Sequence, residues 1–160
     1  MSVTQVMEGV KDYSKKVKEI ANAEITPYVE DIDNFINECN RMLLRGDALS
    51  DKALESIVIN IPALLYYLGT QRETLMADAT IAKINYRNQL SEHKLEAEGT
   101  VGDRQSKAEL EVAEEEVAKI VFETAVALMK VREEAAIELL QSAKKIINSR
   151  TEQLKLTGAV

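Results

Sequence analysis

Residues 103–150 have the sequence DRQSKAELEVAEEEVAKIVFETAVALMKVREEAAIELLQSAKKIINSR and contain neither glycine nor proline. Their apolar residues recur every three or four positions, which is typical of one face of a helix. The predicted stripe consists of Leu110, Ala113, Val117, Ile120, Thr124, Leu128, Val131, Ala135, Leu139 and Ile146. With Asp103 or Thr100 as its N-cap, the run predicts one helix of roughly fifty residues, about 75 Å long.

A helix of this length needs a partner along its apolar stripe, because a compact domain of this mass cannot cover it. The partner is either the segment Pro62–Glu98 folded back or another subunit. Ala, Val and Thr dominate the stripe, and each buries little area at about 25 cal/mol per Å². Several such stripes meeting in one assembly would stabilise it further. We therefore expect a homo-oligomer with coiled-coil packing.

The preceding segment supplies a second long stripe. It consists of Leu65, Leu68, Leu75, Ala79, Ala82, Tyr86, Leu90 and Ala97. The sequence Gly99-Thr100-Val101-Gly102 is the only paired-glycine break in the chain, and it indicates a tight connection. Residues 61–160 are therefore predicted to form a long antiparallel helical hairpin with its turn near 99–102. Tyr66 and Tyr67 lie in an apolar run and are expected in the core.

Residues 1–60 are predicted to form a separate segment of short helices. The apolar stripe of the first is Val3, Val6, Met7, Val10, Tyr13, Val17 and Ile20. A break is expected over 22–26, after which Thr26 caps a second helix with Pro27 in its first turn and Gly46 ends it. Ser50 caps a third helix, and Pro62 predicts a break or bend near Asn60–Ile61. The fold class is all-α.

The composition excludes several classes of protein. The chain has 160 residues, 46% hydrophobic, with 20 Lys or Arg against 27 Asp or Glu and a net charge of −7. It is too apolar for intrinsic disorder, and six glycines and two prolines are too few for a strand-rich sandwich or barrel. The longest strongly apolar run, Ile61–Leu68, is too short to span a membrane, and the first residues do not resemble a signal peptide. We expect a cytoplasmic protein without membrane contact.

The residues needed for most site chemistry are missing. The chain has one cysteine, Cys39, and one histidine, His93. A catalytic triad or a multi-histidine metal site is therefore excluded within one subunit, and no nucleotide-binding or zinc motif is present. Cys39 lies on an apolar helix face and is expected to be buried, whereas Glu114–Glu116 fits a solvated face. We expect no enzyme activity, no cofactor and no metal.

Basic residues gather on both sides of the predicted turn. Lys83, Arg87 and Lys94, with Tyr86 beside them, precede the turn, and Arg104 and Lys107 follow it. Cationic groups beside an aromatic ring suit single-stranded nucleic acid, because the cations pair with phosphates and the ring stacks on a base. The alternative is that they are ordinary salt-bridge partners of Glu92, Glu96 and Glu98, with Tyr86 between the helices. A rival basic set lies in the tail: Lys144, Lys145, Arg150 and Lys155.

Four short motifs carry a resemblance to a known family. They are Ala82–Arg87 (AKINYR), Glu98–Val101 (EGTV), Asp103–Glu109 (DRQSKAE) and Ala143–Arg150 (AKKIINSR). Over roughly residues 75–155 the chain resembles the UvsY-type recombination mediators of bacteriophages.

The resemblance implies a ring-shaped oligomer that binds single-stranded DNA in the bacterial cytoplasm. Such a protein helps to load a recombinase onto strands coated by single-strand-binding protein. Lys83 and Arg87 match the basic positions of that family, whereas Lys94, Arg104 and Lys107 are added from charge alone. The alternative function is a helical protein–protein interaction module, such as a phage scaffold or an inhibitor of a host protein. The acidic segment Glu109–Glu116 favours that alternative, since blocks of like charge often form interaction surfaces.

Overall fold

The computed structural model describes residues 3–44 and 49–156, and side-chain burial over 10–42 and 49–156. Four α-helices follow one another: α1 (Val3–Leu44), α2 (Asp51–Glu96), α3 (Val101–Glu111) and α4 (Ala113–Leu156). No strand occurs within these described ranges. The predicted all-α fold class is confirmed.

The α1 helix is continuous, so the predicted break over 22–26 is wrong. Thr26 does not cap a new helix, because its hydroxyl donates to the carbonyl of Asn22, one turn back, at 2.7 Å. Pro27 lies inside the helix. An interior proline costs about 3 kcal/mol. Ile25 and Val29 on either side of it are buried, at 0% and 3% exposed, and their packing offsets that cost.

The α2 helix also runs through its proline, so the predicted interruption near Asn60–Ile61 is absent. Ile61 and Leu68 are almost fully buried and hold the helix on both sides of Pro62. At the start of α2 the prediction is confirmed, because Ser50 Oγ accepts a hydrogen bond from the Ala53 backbone N–H at 3.2 Å. Gly46, the predicted end of the preceding helix, lies outside the described residues.

The predicted fifty-residue helix is divided into α3 and α4 by one residue, Val112. Its backbone angles are φ −103° and ψ 21°, outside the helical range. The hydrogen bonding nevertheless continues, since its N–H donates to Ala108 and its carbonyl accepts from Glu116. The buried side chain of Val112 is 1% exposed, which fixes this irregular residue against the core.

The chain packs into two compact units. Unit 1 comprises Met1–Thr26 and Arg72–Leu128, and unit 2 comprises Pro27–Gln71 and Met129–Val160. The buried apolar residues of unit 1 include Val17, Ala21, Ile25, Leu75, Ala108, Val112, Val121 and Ala125. Those of unit 2 include Val29, Ile32, Cys39, Leu49, Leu54, Ile57, Ile61, Leu68, Met129, Ala136 and Ala143. The burial of Cys39 confirms its predicted structural role.

Several residues of the predicted stripes face solvent instead. Tyr66 is 83% and Tyr67 48% exposed, so their expected place in the core is wrong. The other misplaced residues are Val10, Tyr13 and Ile20 in α1, Leu110 in α3 and Ala113, Val131 and Ala135 in α4. In α4 the buried line runs through Val121, Ala125, Met129, Ala136 and Ala143, three of which are alanines. Alanine at these three positions lets the helices approach closely. The side chains of Val3, Val6 and Met7 lie outside the described set.

Candidate nucleic-acid interface

The basic residues of α2 form a row along one face of the helix. Lys83, Arg87 and Lys94 are separated by four and seven positions, which places them one above another. Lys83 and Arg87 are exposed, and Lys94 is half-buried. Among the described residues, none of the three has a salt-bridge partner. Their charges are therefore available to an anionic ligand.

The ring of Tyr86 is partly covered by a cation from α4. Lys119 Nζ lies 4.7 Å from the ring centroid, in the geometry of a cation–π contact. Burial raises the pKa of the Tyr86 hydroxyl, and the carboxylates of Glu116 and Glu109 raise it further. One face of this half-buried ring is thus already occupied by a cation.

The connection between α2 and α3 is stabilised by a capping box. Thr100 Oγ1 accepts from the backbone N–H of Asp103 at 3.3 Å, and Asp103 Oδ2 accepts from the backbone N–H of Thr100 at 3.1 Å. The Thr100 hydroxyl also donates to Asp103 Oδ2 at 2.7 Å, and this bond together with the one from the Thr100 N–H lowers the pKa of the Asp103 carboxyl. Gly99 has φ +122°, a conformation that side chains rarely adopt. The sequence correctly placed the break, and of the two caps it left open, Asp103 or Thr100, the structure has Thr100.

The two basic residues after this connection differ in their availability. Lys107 Nζ donates to the carbonyl of Glu98 at 3.0 Å and so helps to hold the connection. Arg104 is half-buried and has no salt-bridge partner among the residues described. Arg104 is therefore the freer of the two, and part of the hydrogen-bonding capacity of Lys107 is used within the chain.

The proposed salt bridges to Glu92, Glu96 and Glu98 do not form within the described part of the chain. Glu96 instead lies 3.8 Å from Nδ1 of the half-buried His93, and the backbone of Glu98 accepts from Lys107. The basic row of α2 is consequently not neutralised by the carboxylates nearest to it in sequence. Tyr86 does lie against α4, as that alternative expected.

Acidic side chains lie close to this basic row. Lys83 shares a groove of about 250 Å³ with Glu123 of α4. A second groove, of about 300 Å³, is lined by Asp78 and Ile81 on α2 and by Glu115 and Phe122 on α4. One carboxylate oxygen of Glu115 is buried without a hydrogen-bond partner among the described residues. Unit 1 therefore presents both a cationic row and an acidic, partly apolar groove.

The rival basic set of the tail is less available than its charge indicates. Arg150 forms a salt bridge with Asp51, and its Nη2 donates to the carbonyl of Leu49 at 2.7 Å. Lys144, Lys145 and Lys155 remain exposed. The arginine of this set thus joins the end of α4 to the start of α2 within unit 2.

Sequence reasoning missed a denser basic set in α1. Lys11, Lys15, Lys16 and Lys18 lie within eight residues that contain one acidic side chain, Asp12, and all four are exposed. Lys11, Lys15 and Lys18 share a shallow groove of about 490 Å³. The signal was the local net charge of +3, which stands out in a chain whose overall net charge is −7.

The described residues offer little for other chemistry. They include no group of three His, Cys, Asp or Glu side chains able to hold a metal ion. Burial raises the pKa of the Cys39 thiol, and nearby Glu38 adds to the shift, so the reactive thiolate is disfavoured.

By length and composition alone, α2 could cross a membrane.

Comparison with protein families, with curated proteins and with solved structures finds no match to this chain.

Proposed function

We propose that this chain is a non-enzymatic accessory protein of phage DNA recombination that binds single-stranded DNA. It would act in the bacterial cytoplasm and help to load a recombinase onto strands coated by single-strand-binding protein. No catalytic step is required, because neutralising phosphates and organising the strand suffice. The two proposed protein partners, a recombinase and a single-strand-binding protein, come from the resemblance to UvsY-type mediators.

The observation that carries the DNA-binding proposal is the unpaired basic row of unit 1. Lys83, Arg87 and Lys94 point from one helix face, and no described carboxylate pairs with them. Exposed lysines on helices commonly have i,i+4 partners, as Lys15 has in Glu19 at 3.8 Å. A row that lacks such partners in an acidic chain is suited to phosphate contacts, which release counterions on binding.

The proposed hairpin is supported by contacts within unit 1. Where α2 and α4 line the same groove, residues earlier in α2 lie beside residues later in α4. Asn85 and Asp78 of α2 share a groove with Glu115–Phe122, and Met76 lies in a groove with Val126. The contact of Tyr86 with Lys119 follows the same order. We propose that α2 and α4 run antiparallel here, which would bring Arg104 near the end of the basic row.

The sharpest test is oligo-dT binding as a function of salt. Each phosphate contact contributes about −0.7 to the slope of log K against log salt for a single strand. Lys83→Ala with Arg87→Ala should reduce affinity and make the slope shallower by about 1.4. Lys144→Ala with Lys145→Ala removes the same charge from exposed tail positions and serves as the control. If that control weakens binding while the α2 pair does not, the site assignment is wrong.

The alternative, a protein–protein interaction module, has one observation in its favour. The groove lined by the acidic Asp78 and Glu115 and the apolar Ile81 and Phe122 suits an amphipathic helix that carries basic residues. Absence of oligo-dT binding at low salt would replace the DNA proposal with this one. Phe122→Ala should then abolish recovery of a phage or host protein partner, whereas Lys83→Ala should not.

A further inference from the structure

The outward face of α2 within unit 2 is apolar and exposed. Ile59 is 71% exposed and Tyr66 is 83% exposed, although both lie in the middle of a long helix. No charged residue occurs from Ser56 to Gln71. The opposite face of the same segment is the buried one, through Ile57, Ile61 and Leu68. This segment therefore has two apolar faces, and only one of them is covered within the chain.

The spacing on the exposed face is that of a helix-packing seam. Ile59, Ala63, Tyr66 and Thr70 follow at intervals of four, three and four, as do the contact positions of a coiled coil. Ala63 alternates with the larger residues, which provides space for side chains of a facing helix. A solvent-facing helix would be expected to carry charged residues at these positions.

Two polar side chains of this segment donate hydrogen bonds inside the helix. The hydroxyl of Thr70 donates to the carbonyl of Tyr66 at 3.1 Å. Asn60 Nδ2 donates to Ser56 Oγ at 2.9 Å. Covering the face would therefore leave few donors or acceptors without a partner, so its desolvation would cost little.

We propose that this face, formed by Ile59, Ala63, Tyr66 and Thr70, binds the same face of a second copy of the chain. An isologous contact requires a surface complementary to itself. Because no charge lies between residues 56 and 71, two copies can meet without opposing like charges. The inference goes beyond the proposed function, and it rests on α2 rather than on the apolar stripe of α4.

The available area sets the expected strength. A tyrosine side chain buries roughly 150–250 Å², so Tyr66, at 83% exposed, brings about 170 Å² per copy. A standard interface buries about 800 Å² per partner. With Ile59, at 71% exposed, added, the face is still smaller than that, as in weak and transient complexes. We therefore expect a weak, reversible dimer.

A lipid surface is the less suitable occupant. Lys52 and Glu55 precede the segment and Arg72 and Glu73 follow it, so the flanks lack the basic excess that attracts anionic headgroups. A span would have to withdraw the buried Ile57, Ile61 and Leu68 from the core of unit 2. The second copy requires no such rearrangement.

The test measures mass by light scattering over a dilution series of the full chain. The wild type should exceed 17.8 kDa at high concentration and approach it on dilution. Tyr66→Glu should raise the dissociation constant at least tenfold without loss of helicity, because that side chain is mostly exposed. Val131→Glu, a substitution at a 60% exposed position of α4, is the matched control and should leave the mass unchanged.

A second readout locates the contact directly. In a Cys39→Ser background, Ile59→Cys and Tyr66→Cys should give covalent dimers with a bis-maleimide, and Val131→Cys should not. A monomer at every concentration, or an oligomer insensitive to Tyr66→Glu, overturns the proposal. Flotation of a monomeric wild type with phosphatidylcholine vesicles, lost in Tyr66→Glu, overturns it in favour of lipid. Oligo-dT binding at low salt, measured in parallel, reports on the DNA proposal separately.

Discussion

The ammonium group of Lys119 lies 4.7 Å from the centre of the Tyr86 ring, and this contact joins α4 to α2 inside unit 1. The same ring lies beside Lys83 and Arg87 in sequence, so it belongs both to helix packing and to the candidate interface. Cation–π contacts contribute about 0.5–1 kcal/mol at exposed sites. We therefore expect substitutions of Lys119 and Tyr86 to have coupled effects on the free energy of unfolding. Their effects on DNA binding can be measured separately.

The coupling is tested by a double-mutant cycle. Lys119→Met and Tyr86→Leu should each lower the free energy of unfolding. The loss in the double variant should be smaller than the sum of the two single losses by about 0.5–1 kcal/mol. Urea unfolding followed by circular dichroism measures all four corners. Full additivity would show that the contact contributes nothing.

The same variants separate packing from base stacking. If a base stacks on Tyr86, Tyr86→Leu should weaken oligo-dT binding, whereas Tyr86→Phe should preserve it. Lys119→Met removes the cation from the ring face and should not weaken stacking, although it removes one nearby charge. Equal losses for Tyr86→Leu and Tyr86→Phe would assign the effect to the hydroxyl and exclude stacking.

The capping box predicts a stability difference at acidic pH. Hydrogen bonds from Thr100 lower the folded-state pKa of Asp103 below its usual value of about 3.9. A lowered carboxyl pKa means that the contribution to stability is complete above about pH 4 and is lost as pH falls through the folded value. Asp103→Asn should therefore lower Tm at pH 6, and the difference from wild type should shrink below pH 4. A difference independent of pH would mean that the charge of Asp103 does not matter.

Two glycines should respond to alanine with opposite signs. Gly69 lies in α2 with no atom within 4 Å of an added Cβ, so Gly69→Ala should stabilise by about 1 kcal/mol through helix propensity. Gly99 has φ +122°, and its Cβ would lie 3.1 Å from Cβ of Asp103. Gly99→Ala should destabilise by about 1–3 kcal/mol, since that conformation is strained for alanine. Chemical denaturation of both variants checks the pair, and a shared sign would contradict the argument.

Local signals in the sequence were sufficient for the helix starts. Ser50 caps as predicted, and Thr100 is one of the two caps predicted for α3, because an N-cap depends on residues two or three positions away. The continuity of α1 through Pro27 depends on the burial of Ile25 and Val29, and local rules for proline do not contain that packing. Tyr66 was misplaced for a related reason: periodicity identifies an apolar face but does not say which apolar face the chain covers.

The candidate interface was predictable only in part. The chemistry of Lys83 and Arg87 could be inferred from residue type and spacing, whereas the cover on Tyr86 required the position of Lys119. The link of Lys107 to the carbonyl of Glu98 required the geometry of the connection at Gly99. The lysines of α1 were visible in the sequence as a local net charge of +3 in an acidic chain.

Those lysines give the last prediction. Lys11, Lys15 and Lys18 lie on one face of α1 in unit 1. Along the helix axis, Lys15 lies about 6 Å and Lys18 about 10.5 Å from Lys11. Since unit 1 also holds Lys83 and Arg87, a strand bound there would gain phosphate contacts from both helices. Replacing the three with alanine should weaken oligo-dT binding and make the salt slope shallower by about 2.

The matched variant for this test lies on the same helix. Lys16 is exposed but lies well away from the Lys11 face, so Lys16→Ala should change affinity much less than any of the three. Helicity should remain, because exposed lysines contribute little to folding. An effect of Lys16→Ala equal to that of Lys15→Ala would mean that only net charge matters. In that case α1 would attract DNA over a distance, and the strand itself would contact α2.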